Sequence, residues 1–124
     1  MPVPMTEPQL AGYRATAERR RLEESERRAK RRMRAWDAAR LGAAILRERF
    51  GASSVVVFGS LATEQWFGEA SDVDLAASGL RADDYFTAVA AVQGLLGEYE
   101  VDLVDLDRCP PGLREAVLSE GVAL

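Results

Sequence analysis

The chain has 124 residues and a mass of 13.6 kDa, enough for one domain and too short for two ordinary ones. Hydrophobic residues at 48% and charged residues at 29% mark a folded chain. One cysteine (Cys109) and no histidine exclude a disulfide framework, cysteine zinc sites, histidine-ligated metals and Ser-His-Asp or Cys-His catalysis. The net charge of −4 hides a split: residues 1–50 hold 13 basic and 7 acidic side chains, whereas residues 51–124 hold 13 acidic ones and only Arg81, Arg108 and Arg114.

Met1-Pro2-Val3-Pro4-Met5 lacks the charged and apolar regions of a signal peptide, and no apolar run approaches the roughly 20 residues of a membrane span. A cytoplasmic protein with no membrane partner is expected. Thr6-Glu7-Pro8-Gln9 has the spacing of a capping box, and helix-forming residues continue from about Gln9 to Phe50, with Gly51 as the stop. If continuous, such a helix would reach roughly 60 Å. Met33, Trp36, Ala39, Ala43, Leu46 and Phe50 form an apolar stripe expected to dock on a core. Further upstream, Arg19-Arg20-Arg21, Glu23-Glu24, Glu26-Arg27-Arg28 and Lys30-Arg31-Arg32 alternate in blocks. A solvated helix with Glu/Arg pairs at i,i+4 is the preferred reading, because acids interleave the arginines and no aromatic stacks among them. A nucleic-acid-binding arm and a homo-oligomer formed through this helix are the other two readings.

Beyond Gly51 the period changes. Ser54 to Phe58 reads as a buried strand broken by Gly59-Ser60, and residues 61–71 as a loop with one helical turn at its start. Within it, Trp66 and Phe67 are expected to pack in the core rather than contact a base. Asp72 to Ala77 alternates as a second strand, closed by Ser78-Gly79. Asp83 or Asp84 would cap a helix on which Tyr85, Val89, Val92 and Leu96 share a face. Tyr99 to Leu106 is a third strand, Cys109-Pro110-Pro111-Gly112 a turn, Leu113 to Glu120 a helix, and Val122 to Leu124 an edge strand. The order predicts an α+β fold, an α/β sandwich.

Asp72 and Asp74 project from one face of their strand, and two like charges there need a reason. Asp102 places a third acid inside the apolar run Val101 to Leu106. Three carboxylates with no basic neighbour in sequence suit a hard ion such as magnesium. Asp105, three residues on, points to the opposite face and reads as solvent-facing or structural. The Gly59-Ser60 pair after a strand allows close approach of a phosphate.

Val57-Phe58-Gly59-Ser60, an eleven-residue spacer, Asp72-Val73-Asp74-Leu75 and Val101-Asp102-Leu103 together resemble the nucleotidyltransferases of the DNA polymerase β superfamily, most closely the minimal branch. The resemblance covers about residues 35–124. It implies a minimal nucleotidyltransferase domain with a small mixed sheet, preceded by a charged helical extension over residues 1–34. It also implies that Asp72, Asp74 and Asp102 are catalytic and hold two magnesium ions, and that Gly59 and Ser60 hold the triphosphate of ATP or another nucleotide. The implied reaction is attack of an acceptor group on the α-phosphorus with release of pyrophosphate. Stand-alone members often act as antitoxins that modify a HEPN-type toxin encoded beside them. Many relatives carry Arg or Lys shortly after Gly-Ser, whereas residues 61–69 here carry none. Weak triphosphate affinity, an inactive enzyme, and arginines supplied by the long helix or a partner are the three explanations. The alternative function is a weak or inactive nucleotidyltransferase-fold module that neutralises a partner protein by direct contact.

Overall fold

The computed structural model describes residues 3–63 and 72–124. They divide into two compact units, Met1–Lys30 and Arg31–Leu124. The long helix α1 (Glu7–Phe50) contributes to both. It opens on a reciprocal capping box: Gln9 N–H donates to Thr6 Oγ1 at 3.3 Å, and Thr6 N–H donates to Gln9 Oε1 at 2.8 Å. It closes at Gly51, whose φ of +72° lets Gly51 N–H donate to Arg47 O (3.2 Å), an αL cap, while Ala52 N–H donates to Leu46 O (3.0 Å). In the first unit nearly every side chain is exposed, and Glu18 pairs with Arg21. This pair, like Asp37–Arg40 at 3.1 Å, spans three residues rather than the expected four.

In the second unit, α1 is followed by β1 (Ser54–Phe58), α2 (Gly59–Ala62), β2 (Val73–Ser78), a 3-10 turn (Ala82–Asp84), α3 (Tyr85–Leu95), β3 (Val101–Asp105), α4 (Pro111–Glu120) and β4 (Val122–Ala123). This is an α+β fold with a mixed four-stranded sheet in the order β3-β2-β1-β4. β1 runs antiparallel to β2 and β4, whereas β2 and β3 are parallel and joined through α3. The expected helical turn begins earlier than position 61, at Gly59 itself. The remainder of the 61–71 loop, with Trp66 and Phe67, lies outside the described residues from position 64 on.

Alternation along the strands divides the core. Val55, Val57, Val73, Leu75, Ala77, Val101 and Leu103 pack against α1 and α3, while Val56, Ala76 and Leu106 pack against Val117 of α4. The apolar stripe of α1 is displaced from its expected position. Ala35, Ala38, Ala39, Gly42, Ala43 and Leu46 are buried, Trp36 and Phe50 only partly, and Met33 is 67% exposed. Small residues win this face because the helix lies close to its neighbours: a Cβ on Gly42 would stand 3.0 Å from Leu75 Cδ1 and 3.3 Å from Val92 Cγ1.

Two local expectations change. Asp84 is the N-cap of α3 but makes no capping bond through its side chain; the 3-10 turn leads into the helix instead. Helix α4 begins at Pro111, two residues before the expected Leu113, because proline at the first helical position has its φ already set. The outward edge of β3 is covered by α3. Gln93 Nε2 donates to Tyr99 O at 2.6 Å, Gln93 Oε1 accepts from Val101 N–H at 3.0 Å, and Tyr85 Oη donates to Leu103 O at 2.5 Å.

Candidate active site

Register places the acids. Phe58 lies opposite Asp74, and Asp74 beside Asp102, so one row crosses β1, β2 and β3. The flanking Val73, Leu75, Val101 and Leu103 are buried in the main core, which turns Asp74 and Asp102 to the other face of the sheet. Asp102 is exposed and Asp74 half-buried; Asp72, also half-buried, precedes β2 by one residue. The apolar contact of α4 centres one row away, on Val56 and Ala76, and within the acidic row only Phe58 packs against that cluster.

The chain reverses direction beside this row. Gly59 has a φ of +70°, and a Cβ there would overlap the Asp74 carboxylate. Two requirements therefore fall on one residue, a left-handed backbone and the absence of a side chain. Ser60 follows in α2, whose last turn is closed by Thr63 N–H donating to Gly59 O at 3.1 Å.

Asp74 bears the electrostatic load. Burial, then the charge of Asp102, then that of Asp72, push its carboxyl from 3.8 up to about 6, and a hydrogen bond with Asp102 adds to the rise. Asp74 and Asp102 are thus brought together, whereas Asp72 acts on Asp74 through its charge. Among the described residues no three acidic or cysteine side chains gather closely enough to enclose a metal ion. The donor set itself fits a hard divalent cation, since it consists of carboxylate oxygens crowded enough to hold back a proton.

Asp105 serves structure. Its carboxylate accepts from Arg108 Nη1 at 2.7 Å and from Asp107 N–H at 3.0 Å, closing the turn before α4. Sequence reasoning missed Arg32, whose Nη2 donates to Leu61 O at 2.6 Å, on the helical turn that contains Gly59 and Ser60. The lack of basic residues after Gly-Ser directs attention to α1, but nothing in its run of arginines singles out this one.

Residues 43–124 match the family described as Polymerase beta, Nucleotidyltransferase. A solved structure described as a minimal nucleotidyltransferase is 35% identical, covers 80% of this chain and 94% of its own, and superposes with a TM-score of 0.53. The chain belongs to the polymerase β-like nucleotidyltransferase family, in its minimal branch. Two further structures share the fold. One, a toxin–antitoxin with AMP-PNP, is 24% identical over 65% of this chain and 67% of its own, with a TM-score of 0.57. The other, the toxin–antitoxin MntA-HepT, is 21% identical over 69% and 68%, with a TM-score of 0.55. No curated protein matches the chain. Among the described residues no helix is long and apolar enough to cross a membrane.

Proposed function

We propose that the chain is a magnesium-dependent nucleotidyltransferase that moves AMP from ATP onto a macromolecular acceptor, a HEPN-type toxin, and so acts as its antitoxin in the cytoplasm. Residues 35–124 carry the reaction, and residues 1–34 form a charged extension. The observation that supports this most is the pairing of Asp74 with Asp102 against a glycine that admits no side chain. Membership of the family and the likeness of fold to a toxin–antitoxin with AMP-PNP agree with it.

In this reading Asp72, Asp74 and Asp102 hold the magnesium ions, and Gly59 and Ser60 hold the triphosphate. Bound magnesium would neutralise charge on the phosphates and make the attacking oxygen more acidic. The protein's own part is to orient the nucleotide for in-line displacement and to keep the carboxylates close to the reacting centre. The acceptor oxygen forms a bond to the α-phosphorus, the bond from that phosphorus to its bridging oxygen breaks, and pyrophosphate departs. Asp102, the exposed end of the acidic row, takes the acceptor's proton.

Incubation with radiolabelled ATP, magnesium and the protein encoded beside it tests the proposal. Label should pass to that protein, and Asp72→Ala and Asp74→Ala should each abolish transfer. Absence of transfer by the wild type, or unchanged transfer by both variants, would overturn it. Neutralisation of the partner without any label would establish the non-catalytic binding module instead.

A further inference from the structure

We infer that the outward face of α3 is the docking surface for a helix of the acceptor protein, one with an apolar face and lysine or arginine at its ends; the identity of that partner rests on the function proposed above. Helix α3 contains no charged residue anywhere along its eleven positions. A helix without a charged side belongs in an interior, yet one side of this one faces solvent. Its inner side, with Ala88, Val89 and Val92, packs in the main core. Its outer side presents Phe86 (81% exposed), Thr87, Ala90, Gly94 and Leu95 (47% exposed), and no described residue covers them. At Gly94 there is open space where a Cβ would stand, so nothing in the described chain calls for glycine, a poorer helix former than alanine. Close approach of a second backbone supplies the reason.

Phe86 is already held in place. Its ring meets Tyr85 edge-on, with centroids 5.3 Å apart at 69°, and Tyr85 is anchored through its hydroxyl to Leu103 O. Beside the ring lies an open notch of about 370 Å³ among Ala82, Tyr85, Val104 and Cys109, large enough for an apolar side chain from outside. A fixed aromatic, a neighbouring notch and surroundings without charge make up the centre of a protein interface. Charge returns at both ends of the helix: Asp83 and Asp84, with Arg81, precede it, and Glu98 and Glu100 follow it. This rim selects the occupant. If α3 of a second copy docked here about a two-fold axis, acidic ends would meet acidic ends whether the helices ran parallel or antiparallel. A foreign helix whose apolar face ends in lysine or arginine meets the rim with the opposite sign.

The test is equilibrium titration of the full-length chain with the protein encoded beside it, in EDTA and without nucleotide, so that binding is read apart from transfer. Phe86→Ala should weaken binding by about tenfold or more without lowering Tm. Gly94→Ala should also weaken it while Tm holds or rises, a combination that a merely structural role would not give. Affinity should fall as salt is raised, and Glu98→Lys combined with Glu100→Lys should weaken binding. Leu118→Ala, at an exposed position on α4, should bind as the wild type. Undiminished affinity in both Phe86→Ala and Gly94→Ala, or tighter binding on charge reversal, would overturn the inference. Self-association of the wild-type chain alone, abolished by Phe86→Ala, would overturn it in favour of a second copy. Absence of binding by the wild type would overturn it as well, whereas the transfer assay above decides the proposed function separately.

Discussion

Asp74→Asn should stabilise the metal-free protein at neutral pH while abolishing nucleotidyl transfer. The carboxyl is pushed from 3.8 up to about 6 by burial and by its acidic neighbours. At about 1.4 kcal/mol for each tenfold change in proton affinity, this would amount to about 3 kcal/mol. Asp74 is only half-buried, and solvent screening reduces the effect to about 1–2 kcal/mol, or a rise of about 4–8 °C in Tm. The sign follows from proton uptake on folding. Below the unfolded-state value of 3.8 the carboxyl is neutral in both states and nothing is lost; between 3.8 and about 6 the unfolded chain ionises while the native carboxyl holds its proton, so stability falls, and above about 6 the loss is complete. The amide of asparagine has no such dependence. Urea melts of both proteins in EDTA from pH 4 to pH 8 should show the variant's advantage opening up to about pH 6 and staying level from there to pH 8. Magnesium should stabilise the wild type and leave the variant unmoved. A difference between the two proteins that is flat with pH would refute the electrostatic account of Asp74.

Gly59→Ala should cost about 2–4 kcal/mol in urea melts, since φ is +70° and the new methyl group would overlap the Asp74 carboxylate. MgATP titration should show nucleotide binding lost with it, and combining it with Asp74→Ala should recover part of the stability. Gln93→Ala should cost about 1–2 kcal/mol and accelerate amide exchange at Val101 by NMR, because Val101 N–H and Tyr99 O both lose a partner at the sheet edge.

Features that depend on adjacent residues were readable before any fold was known. The Thr6–Gln9 box and the Gly51 stop are local hydrogen-bond problems, and both are solved as their residue types demand. The acidic face was readable because strand alternation alone aligns Asp72 with Asp74. That Asp102 falls beside Asp74 is a matter of register, and that Gly59 presses against the same carboxylate is tertiary. The stripe on α1 was misjudged at Met33 for a physical reason. Hydrophobicity favours large side chains, but the face of a helix held close to its neighbours is decided by size, so Ala35, Ala38 and Gly42 are buried and Met33 is exposed. Arg32 was hidden among similar residues, although its guanidinium meets the carbonyl of Leu61.

The close fit at Gly42 has a mechanical consequence. With a Cβ there only 3.0 Å from Leu75, the standoff of α1 is set by backbone against side chain, with little compliance left in the joint. The same rigid rod carries Arg32, ten residues and about 15 Å earlier, to the carbonyl of Leu61. A bulkier residue at position 42 would lever the rod outward and draw the guanidinium from the turn after Gly-Ser. The interior of the domain thus acts as a gauge block for the short turn of Gly59–Ala62, and a core substitution remote from every carboxylate can loosen how that turn is braced.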